Sequence, residues 1–230
     1  MKTIGLLGGM TFESTIPYYQ VINEVVNGEL GDHHSARMIM YSVDFQDVEE
    51  CLRNQDWEKN SAILCEAAVK LRDAGVDFIA LATNTMHMFA GDIMDATGLE
   101  LVHIAEVTAD RLIADGVKKV GLLGTGFTME KEFYKGLLVE KGLEVLIPET
   151  SEEREQVFTI IDTELAFNNI REESRAVYQD IISRLKDRGA EAVILGCTEI
   201  GLLIKEEHSV LPVYDTTLIH AEEIARYALK

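Results

Sequence analysis

The chain contains a copy of itself. DAGVDFIALATNTMH, running from Asp73 to His87, returns as DRGAEAVILGCTEIG from Asp187 to Gly201, and IGLLGGMTF, from Ile4 to Phe12, returns as VGLLGTGFT from Val120 to Thr128. Thr83 and Cys197 are 114 positions apart and Gly5 and Gly121 are 116 apart, so the order of segments is kept with a two-residue slip in a loop. A repeat in such steady register restricts the fold to two similar halves. A pseudo-two-fold axis between them puts Thr83 and Cys197 at equivalent strand ends, on opposite walls of one cleft, the arrangement that inversion at a carbon centre requires.

Each half reads as α/β. Short apolar runs alternate with longer amphipathic stretches, the pattern of a parallel sheet covered by helices. Strands are predicted near residues 3–8, 37–42, 77–82, 101–104, 119–123, 143–146, 191–195 and 212–213. Helices are predicted near 14–28, 45–53, 57–74, 90–96, 105–115, 129–141, 151–168, 172–188, 199–205 and 217–229. The long helix before the third strand closes on Lys70, Arg72 and Gly75, basic residues and then a glycine, as a helix stop requires, and Gly189 is the twin of that glycine. Prolines occur only at positions 17, 148 and 212, so no proline-rich linker separates the halves and the crossover is tight. We read two pseudo-symmetric domains, each a short, mostly parallel sheet flanked by helices, with the active site in the interdomain cleft. The first takes residues 1–98 plus about 208–230, its closing strand and helix returning to complete its sheet, and the second takes 99–207.

Composition excludes several classes. A chain of 230 residues with 47% apolar content buries a sizeable core. Its 40 acidic against 21 basic residues leave a formal charge of −19, which repels nucleic acid and anionic membrane surfaces. The opening MKTIGLLGG carries one lysine and a short apolar run, far below a secretory core or a membrane span. Cys51, Cys65 and Cys197 are odd in number and match no zinc or disulfide spacing, so a reducing, cytoplasmic setting is expected. His33 and His34 fall in a polar stretch that reads as an exposed loop, and no H-E-x-x-H or CxxC pattern supports a metal.

In parallel sheets ligands gather beyond the carboxyl ends of the strands. LGGMTFEST follows the first strand, where Gly8 and Gly9 permit a tight turn and Met10, Thr11, Ser14 and Thr15 lead into a helix; the counterpart LGTGFTMEKE offers Thr125 and Thr128. Amides at a helix start suit a carboxylate or phosphate, although glycines also make turns with no ligand at all. Gly124 and Gly126 begin a dinucleotide fingerprint that Met129 breaks. Thr83 begins TNTMH and Cys197 begins CTEIG, each at a strand end where a helix starts. A helix start lowers a thiol pKa from its usual ~8.5, so Cys197 is expected to form thiolate and take a proton. Asn84, Thr85 and Thr198 either hold a small anion between the domains or cap helices. His87, one turn after Thr83, either tunes that hydroxyl or is a packed core histidine. Glu199 either orients Cys197 or is a first-turn partner of the helix dipole.

With GLLGGM, TNTMH, GLLGTGFT and ILGCTEI all in place, the chain resembles, over essentially its full length, the aspartate/glutamate racemase family of cofactor-independent amino-acid racemases. The resemblance implies a two-domain pseudo-symmetric α/β protein, usually a homodimer, that acts on a small amino acid with no cofactor. In the family two cysteines flank the substrate α-carbon, one removing its proton and the other delivering one to the opposite face. Cys197 matches the second; Thr83 stands where the family usually reads C-N-T. An aliphatic hydroxyl ionises about as reluctantly as water, far above a thiol's ~8.5, so forming the alkoxide costs about 9 kcal/mol more. Thr83 is therefore a poor base, yet an un-ionised hydroxyl still donates to a carbanion. The expectation is a racemase strongly asymmetric in direction, in which Cys197 abstracts and Thr83 reprotonates, directly or through water or His87.

Relatives acting on acidic amino acids generally hold the side-chain carboxylate with a basic residue after the second strand. Here SVDFQDVEECLRNQ offers Gln46 and Asp47 early and Arg53 only later, and in ELAFNNIREESR the groups left to reach the cleft are Asn168 and Arg171. Aspartate or glutamate is the expected substrate, with a broad-specificity amino-acid racemase as the near alternative. The same resemblance extends to one-cysteine decarboxylases of substituted malonates and to maleate isomerases. A non-catalytic small-molecule binding protein that kept both lobes is the remaining reading.

Overall fold

The computed structural model describes residues 1–230. Eight strands form: β1 (Ile4–Gly8), β2 (Met38–Ser42), β3 (Phe78–Leu81), β4 (Leu101–Val102), β5 (Lys119–Gly124), β6 (Glu144–Leu146), β7 (Ala192–Gly196) and β8 (Val213–Asp215). They build two four-stranded sheets, ordered β2-β1-β3-β4 and β6-β5-β7-β8, in which every neighbouring pair is parallel. The helices are α1 (Phe12–Leu30), α2 (Phe45–Asn54), α3 (Trp57–Asp73), α4 (Ala90–Thr97), α5 (Ile104–Ala114), α6 (Gly126–Glu130), α7 (Glu132–Glu140), α8 (Ser151–Thr163), α9 (Glu172–Asp187), α10 (Ile200–Leu203) and α11 (Thr216–Leu229). The single helix expected over 129–141 is two, because Lys131 adopts extended backbone (φ −93°, ψ 150°) between α6 and α7. The helix expected over 151–168 ends at Thr163, and a 3-10 turn, Leu165–Phe167, follows.

Side-chain alternation explains why these runs are strands covered on both faces. In β3 and just beyond it, Phe78, Ala80 and Ala82 join one apolar cluster with Tyr18, Ile22 and Val26 of α1, while Ile79 and Leu81 join another with Leu64, Ala68 and Leu71 of α3. A strand that is apolar at every position is what a sheet sandwiched between helix layers demands. Both long helices that feed a central strand stop in the same way. Gly75 (φ +87°) bonds Arg72 O at 2.9 Å and Gly189 (φ +92°) bonds Lys186 O at 2.8 Å, left-handed positions that a side chain would strain.

The chain divides into two units, Met1–His103 with His220–Lys230, and Ile104–Ile219. The expected first boundary near residue 98 fell too early, because β4 pairs with β3 and completes the first sheet. Nor does the segment from about His208 return as a whole: β8 pairs with β7 in the second sheet, and the return to the first unit begins at His220, inside α11. The reason lies in the repeat itself. Each sheet takes four strands from its own half, whereas the helix that follows each fourth strand serves the other unit. Ile104, Ala105, Ala109 and Leu112 of α5 belong to the second unit's core, and Ala221, Ile224, Ala225 and Ala228 of α11 to the first.

The structure also locates the two-residue slip. β1 ends at Gly8 and the cap of α1 is Thr11, whereas β5 ends at Gly124 and the cap of α6 is Thr125. Gly9 and Met10 are the inserted pair. No helix is long and apolar enough to cross a membrane.

Candidate active site

In the first unit β1 and β3 are adjacent and parallel, so the segments after them emerge side by side at one sheet edge. Met10 and Thr11 come from one, and Thr83, Asn84 and Thr85 from the other; all five are buried. The hydroxyls of the first loop are committed to its helix start. Thr11 Oγ1 accepts from Ser14 N at 3.4 Å, and the Ser14 and Thr15 hydroxyls donate to Thr11 O at 2.9 and 2.8 Å. Thr15 Oγ1 also accepts from the Gly9 amide at 2.9 Å, so capping is the role seen for this loop.

After β3 the chain enters a 3-10 turn, Thr85–Phe89. His87 is buried within it, and its Nδ1 lies 2.8 Å from the backbone oxygen of Thr83. The imidazole thus holds the main chain of Thr83 through its carbonyl. Burial, with His103 and His220 close by, keeps His87 well below the usual imidazole range, so the ring is neutral.

The second unit repeats the layout with different chemistry. Thr125 and Thr128 follow β5, Cys197 and Thr198 follow β7, and these two strands pair through Gly124 and Gly196. Thr125 Oγ1 accepts from Thr128 N at 3.3 Å and lies 3.2 Å from Thr128 Oγ1, again a helix cap. Thr128 packs closely over the residue before Cys197: a Cβ at Gly196 would lie 3.0 Å from Thr128 Cγ2.

Cys197 Sγ donates to Glu199 Oε2 at 2.8 Å, and Thr198 Oγ1 donates to the same oxygen at 2.9 Å. Glu199 is buried, and one oxygen of its carboxylate accepts from both groups. The expectation of a lowered thiol pKa is overturned. Desolvation first, then the Glu199 charge and the hydrogen bond to it, push Cys197 well above the usual thiol value. α10 has only four residues and starts three positions after the cysteine, so its dipole is too weak and too far away to oppose a carboxylate in direct contact.

Glu199 therefore orients Cys197 rather than serving the dipole. Asn168 is exposed, in a left-handed conformation (φ +53°) at the end of the 3-10 turn Leu165–Phe167, which packs against α10. Arg53 is exposed and paired with Glu49, and Arg171 is 3.6 Å from Glu164, so each of these guanidiniums already holds a carboxylate of the chain. His33 and His34 are exposed. No group of three His, Cys, Asp or Glu side chains is disposed to hold a metal ion.

Sequence reasoning passed over Asp215, His103 and His220. Asp215 ends β8 and accepts from Thr217 N at 2.9 Å; burial raises its pKa. It sits so close to Gly201 that a Cβ there would collide with Oδ2. The one available signal was the short VYDTT run, a strand ending on an acid before a helix.

Residues 7–224 match the model of a family described as Asp/Glu/hydantoin racemase. The chain is similar to the crystal structure of a candidate Asp/Glu racemase from Yersinia pestis, 48% identical with a TM-score of 0.93, covering 100% of both chains. It is similar to an aspartate racemase homologue from Pyrococcus horikoshii OT3, 36% identical with a TM-score of 0.85, again covering 100% of both. A broad specificity amino-acid racemase of Bacillus subtilis (strain 168) is 27% identical over 217 residues, 93% of this chain and 92% of that one.

Proposed function

The chain belongs to the Asp/Glu/hydantoin racemase family and is an isomerase, and from that premise we propose that it racemises a free amino acid, aspartate or glutamate first, without a cofactor. In this reading Cys197 removes the α-proton and Thr83 returns one to the other face. The observation that carries it is the Sγ to Oε2 contact of 2.8 Å between Cys197 and Glu199 at the end of β7, the strand equivalent to the one that ends before Thr83.

A thiol held above its usual pKa is not standing thiolate, so the base must be made during turnover. The Sγ–H bond breaks toward Glu199 Oε2 as that oxygen gains the proton, and the sulfur then takes the α-hydrogen. The electron pair left on carbon is delocalised into the substrate carboxylate. Thr83 gives its hydroxyl proton to the opposite face and takes one back from solvent, while Glu199 releases to solvent the proton it holds, the sulfur now carrying the former α-hydrogen. Charge and atoms balance over the cycle. General acid and base groups placed in this way contribute roughly 10²- to 10⁴-fold each.

Free enantiomers have equal energy, so kcat/KM is the same in both directions and the asymmetry cannot reside there. It resides in isotope exchange. The enantiomer whose α-hydrogen faces Cys197 loses it to a competent base and regains hydrogen from the same face more often than from Thr83, so its exchange outruns its inversion. Incorporation of solvent deuterium, measured separately from L- and D-substrate without added cofactor, tests this. Exchange well ahead of inversion is expected for one enantiomer only; matched exchange and inversion from both would overturn the pairing of roles.

The paired states of Arg53 and Arg171 favour side-chain recognition by weaker polar groups, and a panel of amino acids in the same assay separates an acidic preference from a broad one. The reading includes a cytoplasmic homodimer. Its three free thiols suit a reducing setting, and α1 with the edge strand β2 exposes Phe12, Ile16, Tyr19 and Met40, an apolar patch of the kind subunits bury.

A further inference from the structure

Three imidazoles meet inside the first unit, and the chemistry above uses none of them. His87 comes from the turn after β3, His103 from the position after β4, and His220 from α11. The rings of His87 and His103 are 4.7 Å apart and those of His87 and His220 5.4 Å, both edge to face. His87 and His220 are buried.

Hydrogen bonds dictate the tautomer of His220. His220 Nε2 lies 2.8 Å from Val102 O and must donate to it, so in the neutral ring Nδ1 accepts from Tyr18 Oη at 2.9 Å. His87 Nδ1 lies 2.8 Å from the Thr83 carbonyl and the ring also bonds the Val102 backbone, so a hold on Thr83 requires the proton on Nδ1. His103 is in turn bonded to the backbone of His87. The result is a frame: α1 and β4 fix His220, His220 and His103 wall in His87, and His87 fixes the main chain of Thr83.

The second unit has nothing of the kind. By the repeat, Gly201 stands at the position of His87 and Glu199 at that of Thr85. Asp215, paired with Leu195 in β7, stands at the position of His103, and Thr108 of α5 at that of His220. Cys197 is oriented by the Glu199 carboxylate, bonded directly to its thiol. Thr83 has no such neighbour and is held from behind.

We infer that His87 is a positioning residue for the proton returned by Thr83, acting through the Nδ1–H bond to the Thr83 carbonyl, with His103 and His220 as its supports. The inference rests on the racemase reading and adds a residue to it. A hydroxyl that is a weak acid delivers its proton to a short-lived carbanion only from a near-ideal position, and a displacement of about 1 Å in such a group costs on the order of 10²-fold.

The test compares His87→Asn with His87→Gln. Asparagine presents an N–H close to the place of Nδ1, whereas glutamine carries its amide out toward Nε2. His87→Asn should keep inversion within about threefold of the parent, and His87→Gln should lower its kcat by about 10²-fold. In the same His87→Gln sample, exchange of the α-hydrogen on the Cys197 face should stay within about threefold, because the second unit is untouched. Exchange and inversion falling together would mark a structural defect and overturn the inference, as would unchanged inversion in His87→Gln. Ring-nitrogen NMR of the parent protein gives a readout independent of activity: Nδ1 of His87 must be the protonated nitrogen, and an Nε2–H tautomer sinks the proposal. A parent enzyme that neither exchanges nor inverts any amino acid would instead remove the racemase reading.

Discussion

The two sheets are built alike and the groups behind their central strands are not. β3 and β7 occupy the same place in the same strand order, yet Thr83 is held by His87, the first of three neutral imidazoles in contact, and Cys197 by the carboxylate of Glu199, with Asp215 packed against Gly201 in the same unit. Even the buried tyrosines follow the pattern: Tyr18 bonds His220 in the first unit, and fully buried Tyr134 faces the Thr108 side chain in the second. A duplicated backbone therefore supplies two strand ends and leaves each free to acquire its own electrostatics. One side became a thiol with an acceptor for its proton, and the other a hydroxyl locked through its main chain.

Acid should separate the halves most sharply. Burial holds His103 at about 4 and His220 at about 3, against ~6.5 in an unfolded chain. Below ~6.5 the unfolded state takes up protons that the folded first unit refuses, so stability falls with pH, by about 2 kcal/mol per ring between pH ~7 and ~5. Asp215 has the opposite sign. Its raised pKa lets the folded second unit bind a proton earlier than the unfolded chain, so acid favours that contact. Trp57, the sole tryptophan, reports on the first unit. At pH ~5 its fluorescence should report unfolding at lower urea than the far-UV signal of the whole chain does, and coincident curves would break the contrast.

Thr83→Cys should make the halves more alike. A second thiol should raise kcat/KM by about 10²-fold, equally in both directions, and bring exchange and inversion from either enantiomer to similar rates. An unchanged ratio of exchange to inversion would show that Thr83 is not the group that limits return of the proton.

The smallest effect concerns the thiol alone. Glu199→Gln removes the charge that helps hold the Cys197 pKa up, so the midpoint of its alkylation by iodoacetamide should move to lower pH. Desolvation, the larger cause, remains, so the midpoint stays above that of a free thiol. A midpoint that does not move would separate Glu199 from the protonation of the sulfur.

Much of this was legible in the residues. All eight strands lie within two residues of their expected limits, because an apolar run bounded by glycine or polar residues is a local pattern. Thr83 and Cys197 were found at equivalent strand ends from the repeat alone. The break at Lys131 was not legible, since 129–141 is a continuous amphipathic run in composition. The helix dipole misled for Cys197 because the length of α10 and the side-chain direction of Glu199 set the local field.

By itself, then, the sequence determined two parallel α/β sheets of the same order and the residue at the end of each central strand, because these follow from periodicity and from a repeat readable along the chain. Only the tertiary structure decided that α5 and α11 serve the opposite units, and that His103 and His220 converge on His87. It also decided that Asp215 closes on Gly201. Such contacts join residues up to more than a hundred positions apart, and no local pattern of apolar and polar residues records which distant side chain a fold will bring alongside another.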